Sequence, residues 1–313
     1  MKIERKTLLR GSAYIAFGIS SLFLSLYLTF PTDALGQRVA HEIQKASKGK
    51  FNVSFGEFSF YRLSGVQAEQ VELRQSKVGG DVKLVLDSVK ARVNLLPLLL
   101  LKKSLSAYID LGGGELSADI DLDGKDVDLA ISSENIALEK IPFLKEYAGM
   151  PMRGNLSGKV DMAWRQNIAK STANIELALN KMMLGEASIS GFSIPALTLG
   201  NLETKMNIEK GKFSVQSFKQ TGGDISARLH ANSDLRPSIM ASSMDVCAEF
   251  KFEDSVLEKN PKLKTALQLA EVQLKKDKES YLHAAFRGTF SRPRLRRQVL
   301  CSDAKKSKKS KKK

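Results

Sequence analysis

The sequence predicts a mainly β protein, with an N-terminal transmembrane helix followed by a long curled antiparallel sheet and a few short packing helices. Three observations carry this. One uncharged apolar run lies near the N-terminus; apolar and polar residues alternate with period two from Phe51 onward; and only two later stretches carry helical punctuation.

The apolar run comes first. Gly11 to Phe30 is twenty residues whose only ionisable side chains are Tyr14 and Tyr27. At about 1.5 Å per residue this is about 30 Å of helix, the thickness of a bilayer's hydrocarbon core. Tyr14, Ile15, Phe17, Leu22, Phe23, Leu24, Leu26, Tyr27 and Phe30 are the expected lipid-facing residues, with the two tyrosines near the interfaces. A cleaved signal peptide and a buried core helix are the alternatives. The first calls for an apolar segment of about 7–15 residues and a small-x-small exit, whereas the exit here is Leu28-Thr29-Phe30-Pro31-Thr32-Asp33. The second calls for a polar stripe every three or four residues, and none repeats. A retained anchor fits best, stopped at Pro31.

Orientation follows from the flanks. Lys2, Arg5, Lys6 and Arg10 precede the run against Glu4, and the first charge after it is Asp33. The positive-inside rule keeps residues 1–10 in the cytoplasm and exports the rest. The expectation is a bacterial inner-membrane, single-pass protein: basic N-terminus 1–10, transmembrane helix 11–30, periplasmic β domain 31–290 and a disordered basic tail 291–313.

The formal charge of +15 belongs mostly to the ends. Residues 291–313 hold eleven Lys or Arg against Asp303, so the folded part is nearly neutral and the basicity gives no reason to expect nucleic acid. If exported, the tail would meet anionic headgroups or acidic protein surfaces, or simply aid solubility. Cys247 and Cys301 form no disulfide framework, and whether they pair is open.

After Pro31, Leu35, Val39 and Ile43 recur every four residues, giving a short amphipathic helix over 32–48 that Gly49 ends. Alternation follows at Phe51, Val53, Phe55, then Phe58 and Phe60. It returns at Val82, Leu84 and Leu86 and, after a parity slip at Asp87-Ser88, at Val89 to Leu95. Further runs are Leu116 to Leu122, Leu156 to Trp164, Ile175 to Leu179, Ile225 to Leu229 and Met244 to Phe252. One wetted and one apolar face mark antiparallel strands. Phe58, Phe60, Leu84, Leu86, Leu116, Ile120, Val127, Leu129, Phe250 and Phe252 are the candidate apolar sheet face. Helices are expected at 138–150 and 260–276, the latter opened by Asn260-Pro261. GNLSGK at 154–159 is echoed by GNLETK at 200–205, and GGELSADIDL at 113–122 by GGDISARLHANSDL at 222–235.

Catalytic signals are thin. DIDLDGKDVDLA, 119–130, begins like a calcium loop, but its eighth position is Asp126 and its twelfth Ala130 instead of a glutamate. A hairpin turning at Asp123-Gly124 explains it better, with Ile120 opposite Val127, and Asp121 opposite Asp126. Neighbouring lysines would neutralise Asp119, Asp121, Asp126 and Asp128; a loosely held cation is the alternative. His41 and His230 read as surface, Gly112-Gly113-Gly114 as a turn or bulge, and Trp164 as core. No enzyme or cofactor is expected.

These parts in this order resemble type II secretion system protein N (GspN), within the broader AsmA-like group. The resemblance rests on LYLTFPTDAL at the exit of the run, LDSVKARVNLLPLLLLKKSLSAYIDLGGGELSADI at 86–120 and IPFLKEYAGMPMRGNLSGKVDM at 141–162. It continues with LGNLETKMNIEKGKFSV at 199–215, GGDISARLHANSDLRPSI at 222–239 and LHAAFRGTFSRPRL at 282–295. The lysine tail matches neither pattern. The resemblance implies a non-enzymatic periplasmic component of the exporter, near inner-membrane platform proteins and the secretin. The AsmA-like alternative is a sheet whose apolar groove takes membrane lipids.

Overall fold

The computed structural model describes residues 31–303, apart from 63, 76–81, 100, 190 and 191, together with Tyr14, Phe17, Gly18, Ser20, Ser21, Ser25 and Thr29. The chain divides into two units, 1–52 and 53–313.

In the first unit, Tyr14, Phe17, Ser20, Ser21, Ser25 and Thr29 are helical, and the Thr29 hydroxyl donates to the Ser25 carbonyl at 2.7 Å. Tyr14 and Phe17 are exposed. Ile15, Leu22, Phe23, Leu24, Leu26, Tyr27 and Phe30 lie outside the described residues. Among the described residues no helix is long and apolar enough to cross a membrane. Helix α1, Thr32–Ala46, follows Pro31 as predicted. It stops where Gly49, at φ +74°, turns its N–H back to the Gln44 carbonyl at 2.8 Å.

The second unit is built on one antiparallel sheet, and the sheet is open. Its strands are β1 (Phe51–Ser54), β2 (Glu57–Tyr61), β3 (Gly65–Gln75), β4 (Val82–Val93), β5 (Lys103–Leu111), β6 (Gly114–Asp123), β7 (Asp126–Ala137), β8 (Met152–Arg165) and β9 (Thr172–Leu184). After the small separate hairpin β10 (Ala187–Ile189) and β11 (Phe192–Ile194) come β12 (Leu197–Glu209), β13 (Lys212–Thr221), β14 (Ile225–Asp234), β15 (Ser243–Phe252), β16 (Lys275–Lys276), β17 (Leu282–Thr289) and β18 (Arg292–Arg296). From β3 to β9, and on through β12 to β15 and β17, each strand pairs with the next in the chain, apart from the excursion at β10–β11. Sixteen strands join without the path closing.

Helices are short and peripheral. Leu138–Lys140 is a 3-10 turn leading into α3 (Pro142–Ala148), with α2 (Leu95–Leu99) earlier and α4 (Asp254–Lys259) and α5 (Pro261–Glu271) later. The predicted helices at 138–150 and 260–276 are present in shortened form. Proline opens both α3 and α5, where its missing N–H leaves no bond unmade. The helices α2, α3 and α5 pack on β5, β4 and β11 respectively, and α4 on α5.

The internal echoes mark repeated local devices. Gly154 (φ +127°) and Gly200 (φ +71°) each open a GN pair at a register shift, on β8 and β12. A Cβ on Gly200 would lie 2.3 Å from the Thr221 carbonyl, so only glycine fits the bulge.

Two expectations change. The sequence predicts a basic tail from 291, but Arg292–Arg296 is strand β18, paired to β17 with Phe286 opposite Leu295. Cys301, read as part of that tail, is buried and bonded to Cys247 across 54 residues. Charge density had hidden the short alternation of RPRLR. Arginine and proline suit this outermost strand, since both discourage pairing with a further chain.

Candidate functional site

The Asp-rich hairpin sets the sheet's two faces. Its turn is Gly124-Lys125, with Asp123 opposite Asp126, so the register lies two residues from the predicted one. Gly124, at φ +60°, takes the first turn position, where glycine is the residue that fits. A two-residue shift preserves facing: Leu122 meets Val127, Ile120 meets Leu129 and Ala118 meets Ile131.

Following the registers outward gives apolar rows that cross the sheet. One runs Ala91, Ala107, Ala118, Ile131, Val160, Ile175, Met206, Val215. The next runs Val93, Leu105, Ile120, Leu129, Met162, Ala173, Ile208, Phe213. Phe58 and Phe60 join this face through Ala68 and Val66, opposite Val89 and Ala91. Phe250 and Phe252 join it through Ala227 and Ile225 on β14. Leu116, paired with Ile109 and Ser133, and Val127, paired with Trp164, also lie on it. Leu84 and Leu86 pair with Leu73 and Val71, beyond a break at Gln70 (φ +51°) opposite the predicted slip.

This face is half-buried along its length. Leu116, Ile120, Val127, Leu129, Val160, Ile175, Leu177 and Trp164 are each shielded by neighbours but not buried. Fully buried apolar residues on this face are few, Phe58, Ala68 and Ala173 among them; others gather at Leu111, Ile136 and Leu138 near one end of the strands, and at Cys247, Leu282, Ala285 and Cys301 at the C-terminal edge. The face is a trough of side chains rather than the inside of a sandwich. Trp164, expected in the core, stands at the trough's margin.

The opposite face is polar and equally ordered. One row reads Ser106, Asp119, Ala130, Asp161, Asn174, Asn207, Ser214, Asn232, Asp245, Arg287, Arg294. Short hydrogen bonds knit it: Ser106 donates to Asp119 at 2.6 Å and Ser214 to Asn207 at 2.6 Å.

The acidic quartet is divided by these registers. Asp121 and Asp128 are directly opposite, whereas Asp119 faces Ala130. Arg165 pairs with Asp128 at 2.5 Å, and Gln166 donates to Asp126 at 3.1 Å, so the neutralising partner is an arginine and not the predicted lysines. The four do not form a metal-ligand group. Among the described residues the group with suitable ligand spacing is Glu249, His283 and Cys301, and there the sulfur is committed to Cys247.

That buried corner was missed by sequence reasoning. His283 Nδ1 accepts from the Cys301 backbone N–H at 3.2 Å, and Nε2 lies 3.1 Å from Asp277 Oδ2. Glu249 stands opposite His283 in the sheet. Burial pushes the Asp277 carboxyl up, but bonds from the Tyr281 N–H, His283 and the Glu279 N–H outweigh it and hold the group below its ordinary value. His230 faces the polar side, as predicted, and lines a cavity of about 440 Å³ with Asn232, Asp245 and Cys301.

Gln220 was also missed. β13 and β14 pair over three residues only, and beyond them the Gln220 amide fills the ladder. It donates to the carbonyls of Leu199 (2.8 Å) and Ile225 (2.5 Å) and accepts from the Ala227 N–H at 2.7 Å. No protein-family model, curated protein or solved structure matches the chain.

Proposed function

We propose that the chain is a non-enzymatic, inner-membrane-anchored periplasmic component of a type II protein secretion system, with a structural or assembly role. The observation that carries this reading is the trough: rows of apolar side chains about eight strands wide, most of them only half-buried, with α2 and α3 packing on β5 and β4 at one side of the sheet. Apolar surface left half-exposed over this extent marks a binding surface. The ordered resemblance to protein N supplies the class of partner, the inner-membrane platform and the secretin. A disulfide in the fold suits an oxidising compartment.

A second reading is favoured by the trough's continuity. Acyl chains need an unbroken apolar track and no hydrogen bonds, so an AsmA-like lipid carrier fits the same face. One experiment separates the two. A photoreactive amino acid in place of Leu177, at the trough's centre, is activated in cells that express the full chain. Adducts with exporter proteins support the first reading, and phospholipid adducts the second. Adducts only with the chain's own residues would mean the face closes on itself, and both readings would fail.

A further inference from the structure

The registers bring a set of exposed apolar tips to one end of the strands. The β4–β5 link (94–102), the β14–β15 link (235–242) and the β17–β18 turn (290–291) all leave the sheet at the end where Val93 meets Leu105 and Ser243 meets Thr289. On the first link Leu95 is 47% exposed, Leu98 45% and Leu101 94%; on the second Ile239 is 71% and Met240 64%. These side chains are held out by ordered backbone. Asn94 bonds Ser104 through its N–H at 2.9 Å and through its amide at 2.8 Å, and the N–H groups of Leu101 and Lys102 reach back to Leu98 and Pro97.

Cations surround the first tip. Lys102 and Lys103 follow it, and Arg62 and Arg92 line an adjoining depression of about 450 Å³ with Ser64, Asn94, Leu95 and Pro97. The Arg92 guanidinium lies 5.9 Å from the Tyr108 ring centre, and its Nε is shut away from water with no hydrogen-bond partner. Among the described residues none of these four cations has a carboxylate partner, although other cations of the sheet do. Asp123 and Asp126 occupy the β6–β7 turn at the same end, so the basic region is confined to the β4–β5 corner. Arg236 accompanies the second tip, eight strand steps away, or about 38 Å along the sheet.

We propose that this strand end docks onto an anionic phospholipid bilayer. The leucine tip enters the headgroup boundary and the Arg62–Arg92 depression takes a lipid phosphate. Leucines gain by leaving water, and the guanidinium offers phosphate the fork geometry it prefers. The contact concerns the strand end, so it stands whichever reading of the trough holds.

The test uses the full chain in phosphatidylcholine vesicles with and without phosphatidylglycerol. An environment-sensitive fluorophore is attached to Leu98→Cys, to Ile239→Cys and, as control, to Lys219→Cys on the polar face; the two native cysteines are already joined. Brominated acyl chains should quench the first two probes in anionic vesicles and leave the control bright. Each cation contributes about fivefold at an anionic surface, so Lys102→Gln/Lys103→Gln, on the exposed link, should lower the docked-to-free ratio about 25-fold. Arg62→Gln should lower it about fivefold. Unquenched Leu98 and Ile239 probes overturn the proposal. Equal quenching in vesicles without phosphatidylglycerol overturns the anion recognition. Protection of the Leu98 probe by an acidic protein, with no bromolipid quenching, assigns the tip to that protein instead.

Discussion

Gln220 carries a testable share of the sheet's continuity. Its amide bonds the Ile225 carbonyl and the Ala227 N–H where β13 and β14 part, and the Leu199 carbonyl of β12 on the other side. Gln220→Ala removes all three bonds. Each is worth about 1 kcal/mol net, and the released backbone groups are only partly reached by water, so the loss should be about 2–4 kcal/mol. With a urea slope near 3 kcal/mol/M, at the upper end for small domains, the midpoint should fall by about 1 M. Fluorescence of Trp164, the single tryptophan, follows the transition. Amide exchange should also accelerate at Ala227 and leave the β8–β9 ladder unchanged. Gln220→Glu sharpens the test: the carboxylate still accepts from Ala227 but faces two carbonyl oxygens, so at neutral pH it should be worse than alanine. A midpoint within 0.2 M of the parent, on a scale where about 0.5 kcal/mol is the error of such comparisons, with unchanged exchange at Ala227, would refute the assignment.

Other consequences are as concrete. Cys301→Ser opens a loop closed across 54 residues, and chain-entropy reasoning predicts a loss of about 4 kcal/mol, measured as a lower urea midpoint that matches the reduced parent. Asp277 titrates below its ordinary value when folded, so its stabilisation is complete above the unfolded-state value near pH 4 and vanishes as pH falls through the folded one. Asp277→Asn should flatten that acid limb in stability measured from pH 6 to about 2. Arg165→Ala should cost under about 1 kcal/mol, because the pair with Asp128 is half exposed, and adding Asp121→Asn should recover most of it by removing the facing carboxylate.

The two-residue period made most of the sheet legible. Strands β4, β6, β8, β9, β14 and β15 fall on the predicted alternations because each is wetted on one face, and facing survives register errors of two residues, as the Asp123–Asp126 turn shows. Features made by distant residues were not legible. The pairing of Cys247 with Cys301 depends on β17 and β18 bringing residue 301 back over β15. Gln220 looks like any polar strand residue until the gap it fills is known. The burial of His283 comes from Cys301 and Asp277, both supplied by segments outside its own strand. The long link Asn94-Leu95-Leu96-Pro97 was read as the end of an alternation, because apolar residues at a tip and in a strand look alike along the chain.

The strand order has a consequence for how the chain comes together. Because pairing follows the order of synthesis almost throughout, each strand's partner is already present when it appears. A chain delivered N-terminus first, from a ribosome or a translocation channel, can add one rung at a time without waiting for its far end. Short-range pairing of this kind avoids the slow search that distant strands impose. The Cys247–Cys301 bond is then the last event, a clasp made only after β17 and β18 have been laid down. Its presence would certify that the final rung is in place.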